Sequence, residues 1–256
     1  MGRDFTMSAY RELLEAFLMQ GYKIIACEDY YGNAPEGKTL VLRHDVDDLP
    51  QNSLLKAHIE KELGARSTYY FRIVPQSDKP EFIKGIAELG HEIGYHYEDL
   101  SLAKGNTEVA LQNFKKNLEH FRTFYPVITI CMHGSPMSKW DNRAVWKAAD
   151  YRNYGLIAEP YFDTDFNKVL YITDTGRKWD GDKVSVRDKV KTPLQDQHHY
   201  QSTVDIINAL KTGKLPQQIM ITTHPQRWHD DLYPWVKEYI LQNIKNTIKK
   251  IFFVKK

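Results

Sequence analysis

The chain has 256 residues, 42% hydrophobic and 27% charged, which is the composition of an ordinary globular protein. A net charge of +2 excludes nucleic-acid recognition through bulk positive charge. The two cysteines, Cys27 and Cys131, are too few and too far apart for a disulfide framework or a CxxC knuckle. Acids stand among the first residues, and no apolar run reaches the ~18–20 residues of a membrane span. A cytoplasmic location without a signal peptide is therefore expected.

The elements alternate along the chain. Residues 8–19 have helical periodicity, and Gly21 follows as a C-cap would. Strands are expected at 23–27 and 39–44, a helix at 51–63 and a strand at 67–73. A helix at 80–89 has Pro80 in its first turn, and strand 91–97 comes next. Then follow helix 107–123, strand 127–132, helix 141–149, and strands 154–158 and 168–173. Helix 202–211, strand 217–223 and helix 234–252 complete the order, with 174–201 the least regular stretch. Strands separated by helices of this length predict βαβ units and a parallel sheet, closed or nearly closed into a barrel. With no internal repeat or linker, residues 1–256 read as a single domain.

Four of the expected strand ends are polar: Arg43–Asp48, His91–Leu100, Met132–Pro136 and Thr222–Pro225. A parallel barrel carries its active site at that end of its strands. One polar strand end is ordinary, whereas three that offer histidine and one that offers paired carboxylates point to a metal-assisted hydrolytic site. Alternation puts Arg43, Asp45 and Asp47 on one face and His44 on the other. It likewise groups Glu92, Gly94, His96 and Glu98 and sends His91 outward, so His96 is the ligand candidate and His91 is not.

The segments Arg43-His44-Asp45-Val46-Asp47, Gly90-His91-Glu92-Ile93-Gly94-Tyr95-His96, Met132-His133-Gly134-Ser135-Pro136 and Ile221-Thr222-Thr223-His224 have a familiar order. In it the chain resembles the polysaccharide deacetylase superfamily, the NodB homology domains of carbohydrate esterase family 4. The resemblance implies a distorted (β/α)7 barrel and metal-dependent removal of an acetyl group from a sugar or glycan precursor. By position it implies Asp45 as general base, His224 as general acid, Asp47 as the metal-binding acid displaced one residue by Val46, and His96 as a metal histidine. The implied cofactor is one divalent ion, zinc first.

The chain departs from the family pattern where the second metal histidine falls, at Leu100, which cannot bind metal. His133 on a neighbouring strand end is expected to replace it and restore a carboxylate plus two histidines, with Glu98 as the alternative. The family's Arg/Pro-Tyr segment is also absent, leaving Arg43 or Arg177 to orient Asp45, or to be paired at the surface. Trp179, Trp228 and His198 are candidates to stack on or hydrogen-bond a sugar, and Trp140 and Trp146 are expected in packing. Other functions compatible with the pattern are hydrolysis of a non-peptide C–N bond in a small metabolite and non-catalytic sugar binding.

In helix 234–252, Val236, Ile240, Ile244, Ile248 and Phe252 recur at i, i+4 with Ile251 beside them. Residues 237–256 hold six lysines against one glutamate. Either the stripe packs on the barrel and the lysines are solvated, or Ile251-Phe252-Phe253 and the lysines touch an anionic membrane.

Overall fold

The computed structural model describes residues 2–33, 35–179 and 187–252. Its first half runs α1 (Met7–Met19), β1 (Lys23–Ile25), α2 (Cys27–Gly32), β2 (Thr39–Val46), α3 (Pro50–Glu62), β3 (Thr68–Phe71), α4 (Pro80–Glu88) and β4 (Glu92–Tyr97). The second half runs α5 (Asp99–Leu102), α6 (Thr107–Arg122), β5 (Ile130–Met132), α7 (Pro160–Asp163), β6 (Leu170–Thr173), α8 (Pro193–Asp196), α9 (Thr203–Lys211), β7 (Gln218–Thr223) and α10 (Leu232–Phe252).

Every strand pairing is parallel, and the sheet runs β5-β4-β3-β2-β7-β6. β7 occupies one flank of β2. On the other flank β1 pairs with its first half, Lys23↔Thr39 to Ile25↔Val41, and β3 with its second, Arg43↔Thr68 to Val46↔Phe71. The two short strands thus share one stave of the expected distorted (β/α)7 barrel. The expected strand 154–158 is reduced to a single bridge, Thr129↔Ala158, beside β5. Among the described residues the barrel is therefore incomplete between β5 and β6. Two further local expectations change: helix 141–149 is a 3-10 segment, Asn142–Lys147, and Cys27 opens α2 rather than ending a strand.

Side-chain alternation sorts the sheet's two faces. Leu40, Leu42, Ile219 and Ile221 point outward and pack with Leu13, Leu14 and Phe17 of α1 and Ile206 of α9. Ile93, Tyr95 and Ile130 meet Ile83 and Ile86 of α4 and Phe114 and Phe121 of α6. Each such side chain contributes about 1.5–3 kcal/mol of burial free energy. Helices α1, α6 and α9 start on side-chain caps: Thr6 accepts from Ala9 N, Asn106 from Val109 N and Ser202 from Asp205 N. Inside the barrel the filling is mixed, with Val41, Tyr70, Cys131, Tyr171 and Met220 beside the buried Arg43 and Glu92. Gly94 is required there, because a Cβ would collide with the Tyr70 ring.

Glu92 lies at the barrel's lower end, accepting from Thr68 Oγ1 at 2.6 Å, Glu28 N at 2.8 Å and Thr129 Oγ1. Burial, reinforced by the charge of Glu28, pushes its carboxyl up to about 7. Burial likewise lifts Glu159 to about 7. A folded-state pKa above the unfolded value near ~4.3 means the folded chain holds an extra proton between the two. Stability from this source is present below about pH 4 and is lost as pH rises through about 7. Glu92→Gln is expected to melt near wild type at pH 5 and to gain about 2–3 kcal/mol at pH 8. Thermal unfolding at both pH values checks it; an unchanged pH dependence would show Glu92 ionised throughout.

Candidate functional site

The strand ends open into a cleft of about 740 Å³ whose walls include Asp45, Asp47, His96, His133 and His224, with Glu238, Gln242 and Lys245 from α10. β2 delivers Asp45 from its inner face and Asp47 just beyond its end. β4 delivers His96, and the chain after β5 delivers His133. His44, between the two inward residues of β2, points the other way, its Nε2 2.9 Å from Glu60 of α3. His91 shares that outer network, with Nδ1 3.4 Å from Glu60 and Nε2 3.0 Å from the Ala57 carbonyl. The structure separates His91 from the cleft and brings His96 into it.

The tautomers of the two inner histidines follow from their partners. His96 Nδ1 lies 3.0 Å from the Cys131 carbonyl, which can only accept, so this nitrogen carries the hydrogen. Its Nε2 lone pair is then left 3.8 Å from Asp45 Oδ2 and 3.9 Å from Asp47 Oδ1. His133 Nδ1 sits 2.9 Å from the Glu98 carboxylate, and its Nε2 is 3.5 Å from Asp47 Oδ1. Burial pushes the His96 imidazole down to about 4, so it is neutral at pH 7. Burial opposes ionisation of Asp47, but His133, His224, His96 and Arg72 together outweigh it and hold the carboxyl well below its ordinary range.

Asp47 Oδ2 accepts from Gln226 at 3.3 Å, while Asp47 Oδ1, with Arg72 Nη1 3.9 Å away, and Asp45 Oδ1 are buried with no hydrogen-bond partner among the described residues. Orphaned carboxylate oxygens facing imidazole lone pairs are costly unless a cation satisfies them. Ligands of a tetrahedral ion at ~2.0–2.1 Å stand roughly 3.3 Å apart, and Asp47 Oδ1 lies somewhat farther than that from His133 Nε2, at 3.5 Å, and from His96 Nε2, at 3.9 Å. By donor chemistry, a carboxylate and two imidazoles suit a divalent ion of the zinc type. Asp45, His96 and Cys131 also bring ligand atoms within 4.8 Å of one another. Burial, however, pushes the Cys131 thiol well up, and its sulfur accepts from Arg43 Nη1, so a protonated thiol beside a cation is the poorer donor.

Glu98 is turned behind His133. Arg72 donates to its Oε1 from Nε at 2.8 Å and Nη2 at 2.6 Å, and His133 with Arg72 outweighs burial to bring its carboxyl down to about 2. A carboxylate on the far nitrogen of a metal-type histidine fixes its ring rather than competing for the ion. His133→Ala is expected to cost as much metal affinity as His96→Ala, Glu98→Gln about 10–100-fold, and His91→Ala almost none. Zinc titration calorimetry measures all four. Loss of binding in Glu98→Gln with none in His133→Ala would make Glu98 the ligand.

Across the cleft, His224 Nδ1 lies 2.6 Å from Asp174 Oδ1, leaving Nε2 for the cleft. Asp174, just past β6, also accepts from Arg227 Nη1 at 2.8 Å, Trp228 Nε1 at 2.8 Å and the His224 amide at 3.0 Å. Burial would raise its carboxyl, but Arg227 and His224 outweigh it and hold it well below the usual range. Lys56 stands behind, 3.9 Å over the Tyr10 ring and 4.2 Å over Trp228, donating to Thr223 Oγ1 at 2.6 Å; burial pushes its ammonium down to about 7. Sequence reading missed Asp174 and Lys56. The signal for Asp174 was a fifth polar strand end, Thr173-Asp174-Thr175.

Several expected substrate contacts are placed elsewhere. Arg43 is neither at the surface nor hydrogen-bonded to Asp45. It fills the barrel and donates to Thr222 Oγ1 at 2.6 Å and to the hydroxyls of Tyr161 and Tyr171 at 3.0 Å each. Arg177 stacks 4.3 Å over Trp235 of α10 and donates to its carbonyl, away from Asp45. Trp179 and Trp228 are core residues packed on Phe5, so neither stacks on a sugar. His198 pairs with Tyr200 at 2.9 Å and is not among the cleft residues. Trp146 packs on Phe114 and Tyr97, as expected.

No family model and no curated protein matches the chain. Among solved structures it is similar to a CE4 family pseudoenzyme from Bacillus anthracis, at 14% identity and a TM-score of 0.45, covering 84% of this chain and 62% of that one. It is also similar to the catalytic domain of peptidoglycan N-acetylglucosamine deacetylase from Eubacterium rectale, at 14% identity and TM-score 0.45, with 83% and 86% covered. A third is a family 4 carbohydrate esterase from Streptomyces lividans in complex with acetate, at 12% identity and TM-score 0.40, with 85% and 91% covered. The chain spans less than two thirds of the length of the first of these. These are likenesses of fold and assign neither residue roles nor a substrate.

Proposed function

We propose that the chain is a metal-dependent hydrolase that removes an acetyl group from a sugar or glycan precursor, with zinc held by Asp47, His96 and His133. The observation that carries this reading is the pair of imidazole Nε2 lone pairs aimed at Asp47, beside Asp45 and within one cleft with a histidine–aspartate pair. A bound divalent ion would polarise the acetyl carbonyl and acidify a water. Asp45, whose Oδ1 has no hydrogen-bond partner among the described residues, accepts the proton of the attacking water. His224, its Nδ1–H given to Asp174, holds the proton destined for the departing amine or alcohol at Nε2. Asp174 keeps that ring in one tautomer, as a buried carboxylate does for a catalytic imidazole.

The test is metal content after purification without chelators, together with acetate release from a panel of N- and O-acetylated sugars. Stoichiometric zinc with acetate release supports the reading. Sugar binding without metal or acetate would make the chain a binding protein. Metal with cleavage only of other amides would move it to hydrolysis of C–N bonds in small metabolites.

A further inference from the structure

Helix α10 lies on the barrel the opposite way from most surface helices. Its buried positions are polar: Gln242 and Asn246 are each 5% exposed, bonded to each other at 2.8 Å, and Asn246 Nδ2 donates to the Gly176 carbonyl at 2.8 Å. Trp235 fixes the same face, its Nε1 2.7 Å from the Asp4 carbonyl. The apolar stripe that the sequence offered for packing is turned outward instead. Ile240 and Ile244 are each 52% exposed and Ile251 68%, with Val236 and Ile248 exposed in line with them. Phe253 and the last two lysines lie outside the described residues. A continuous apolar stripe in water is unfavourable without a partner to cover it.

Charge selects the partner. Within α10 stand Lys237, Lys245, Lys249 and Lys250 against the single acid Glu238. A second copy of the helix would bring like charges together, whereas an anionic lipid surface complements both the lysines and the stripe. Lys245 and Ile248 also line the cleft, as does the exposed Met137, so the stripe runs up to the cleft's mouth. Among the described residues no helix is long and apolar enough to cross a membrane, so the contact would be with the surface. We propose that α10 docks the protein on an anionic membrane, its isoleucine stripe entering the headgroup boundary and its lysines meeting lipid phosphates beside the cleft. This does not depend on the chemistry inside the cleft.

The experiment is sedimentation of the full chain with phosphatidylcholine vesicles, with and without phosphatidylglycerol, at low and high salt. The protein is expected to pellet with the anionic vesicles at low salt, to remain in solution with phosphatidylcholine alone, and to be released by salt. Ile240→Glu with Ile244→Glu should weaken partitioning at least tenfold, and Lys237→Gln about fivefold. Neither change touches the cleft, and Asp47→Ala should pellet as wild type does, which separates this outcome from failure of the proposed chemistry. Absence of pelleting with anionic vesicles at low salt overturns the proposal, as does equal pelleting by the double glutamate variant. A concentration-dependent dimer that Ile244→Glu abolishes, without vesicle binding, would assign the stripe to a second copy instead.

Discussion

Asp47→Ala is expected to purify without stoichiometric metal and without turnover, whereas Asp45→Asn keeps its metal and loses about 10²–10⁴-fold in kcat. The difference follows from what each carboxylate faces. Asp47 Oδ1 is the oxygen toward which both His96 Nε2, at 3.9 Å, and His133 Nε2, at 3.5 Å, are aimed. Removing it takes away the oxygen that both imidazoles face, and Glu98 cannot take its place because it is engaged by Arg72 and His133 Nδ1. Asp45 approaches His96 at 3.8 Å through Oδ2, and its Oδ1 has no hydrogen-bond partner among the described residues. An asparagine there preserves shape and one oxygen but cannot take a proton. Elemental analysis of each variant, followed by kcat on the best acetylated substrate, reads both effects. Equal metal loss in the two variants would mean that Asp45 is also a ligand, and full activity in either would remove that residue from the chemistry.

The fold and the inward-facing half of the site were legible because they are governed by the two-residue strand period. That period alone separated Arg43 and Asp45 from His44, and His96 from His91, and the structure keeps each on its expected face. What was not legible depends on partners distant in sequence or on strand ends that stop obeying the period. Glu98 belongs by alternation to the face of His96, but β4 ends at Tyr97, and Glu98 turns to Arg72 and His133. Arg43 meets Tyr161 and Tyr171 more than a hundred residues downstream, so no local pattern could reveal that it is a barrel filler. Trp179 stands in an irregular stretch, yet stacks into the core on Phe5, which is set by α1's approach and not by its neighbours. The stripe of α10 was visible as a period, whereas its direction was not, since a helix's periodicity says which residues share a face and nothing about which face is covered.

Asp174→Asn is expected to lower kcat by about 10²–10⁴-fold with KM and metal content little changed, and to destabilise the fold by about 3–5 kcal/mol. Asp174 is wholly buried and receives hydrogen bonds from His224, Arg227 and Trp228. An amide in its place keeps one acceptor oxygen but removes the only ionised partner that the buried Arg227 guanidinium has among the described residues, which is the source of the stability loss. The same amide can present its NH₂ to His224 Nδ1, favouring the tautomer with hydrogen on Nε2 only after a ring that was held as a donor becomes an acceptor. The ring then loses the carboxylate that holds its Nδ1–H, which lowers kcat while Asp47, His96 and His133 are untouched. The pH dependence of stability offers a second readout. Because Asp174 is held below its unfolded range near ~3.9, its contribution is present above that range and lost as pH falls below it. The variant should therefore lose part of the acid limb of the wild-type stability curve. Wild-type kcat in Asp174→Asn would show that His224 acts without this partner, and a parallel loss of metal would show that the aspartate holds the opposite wall of the cleft rather than the imidazole.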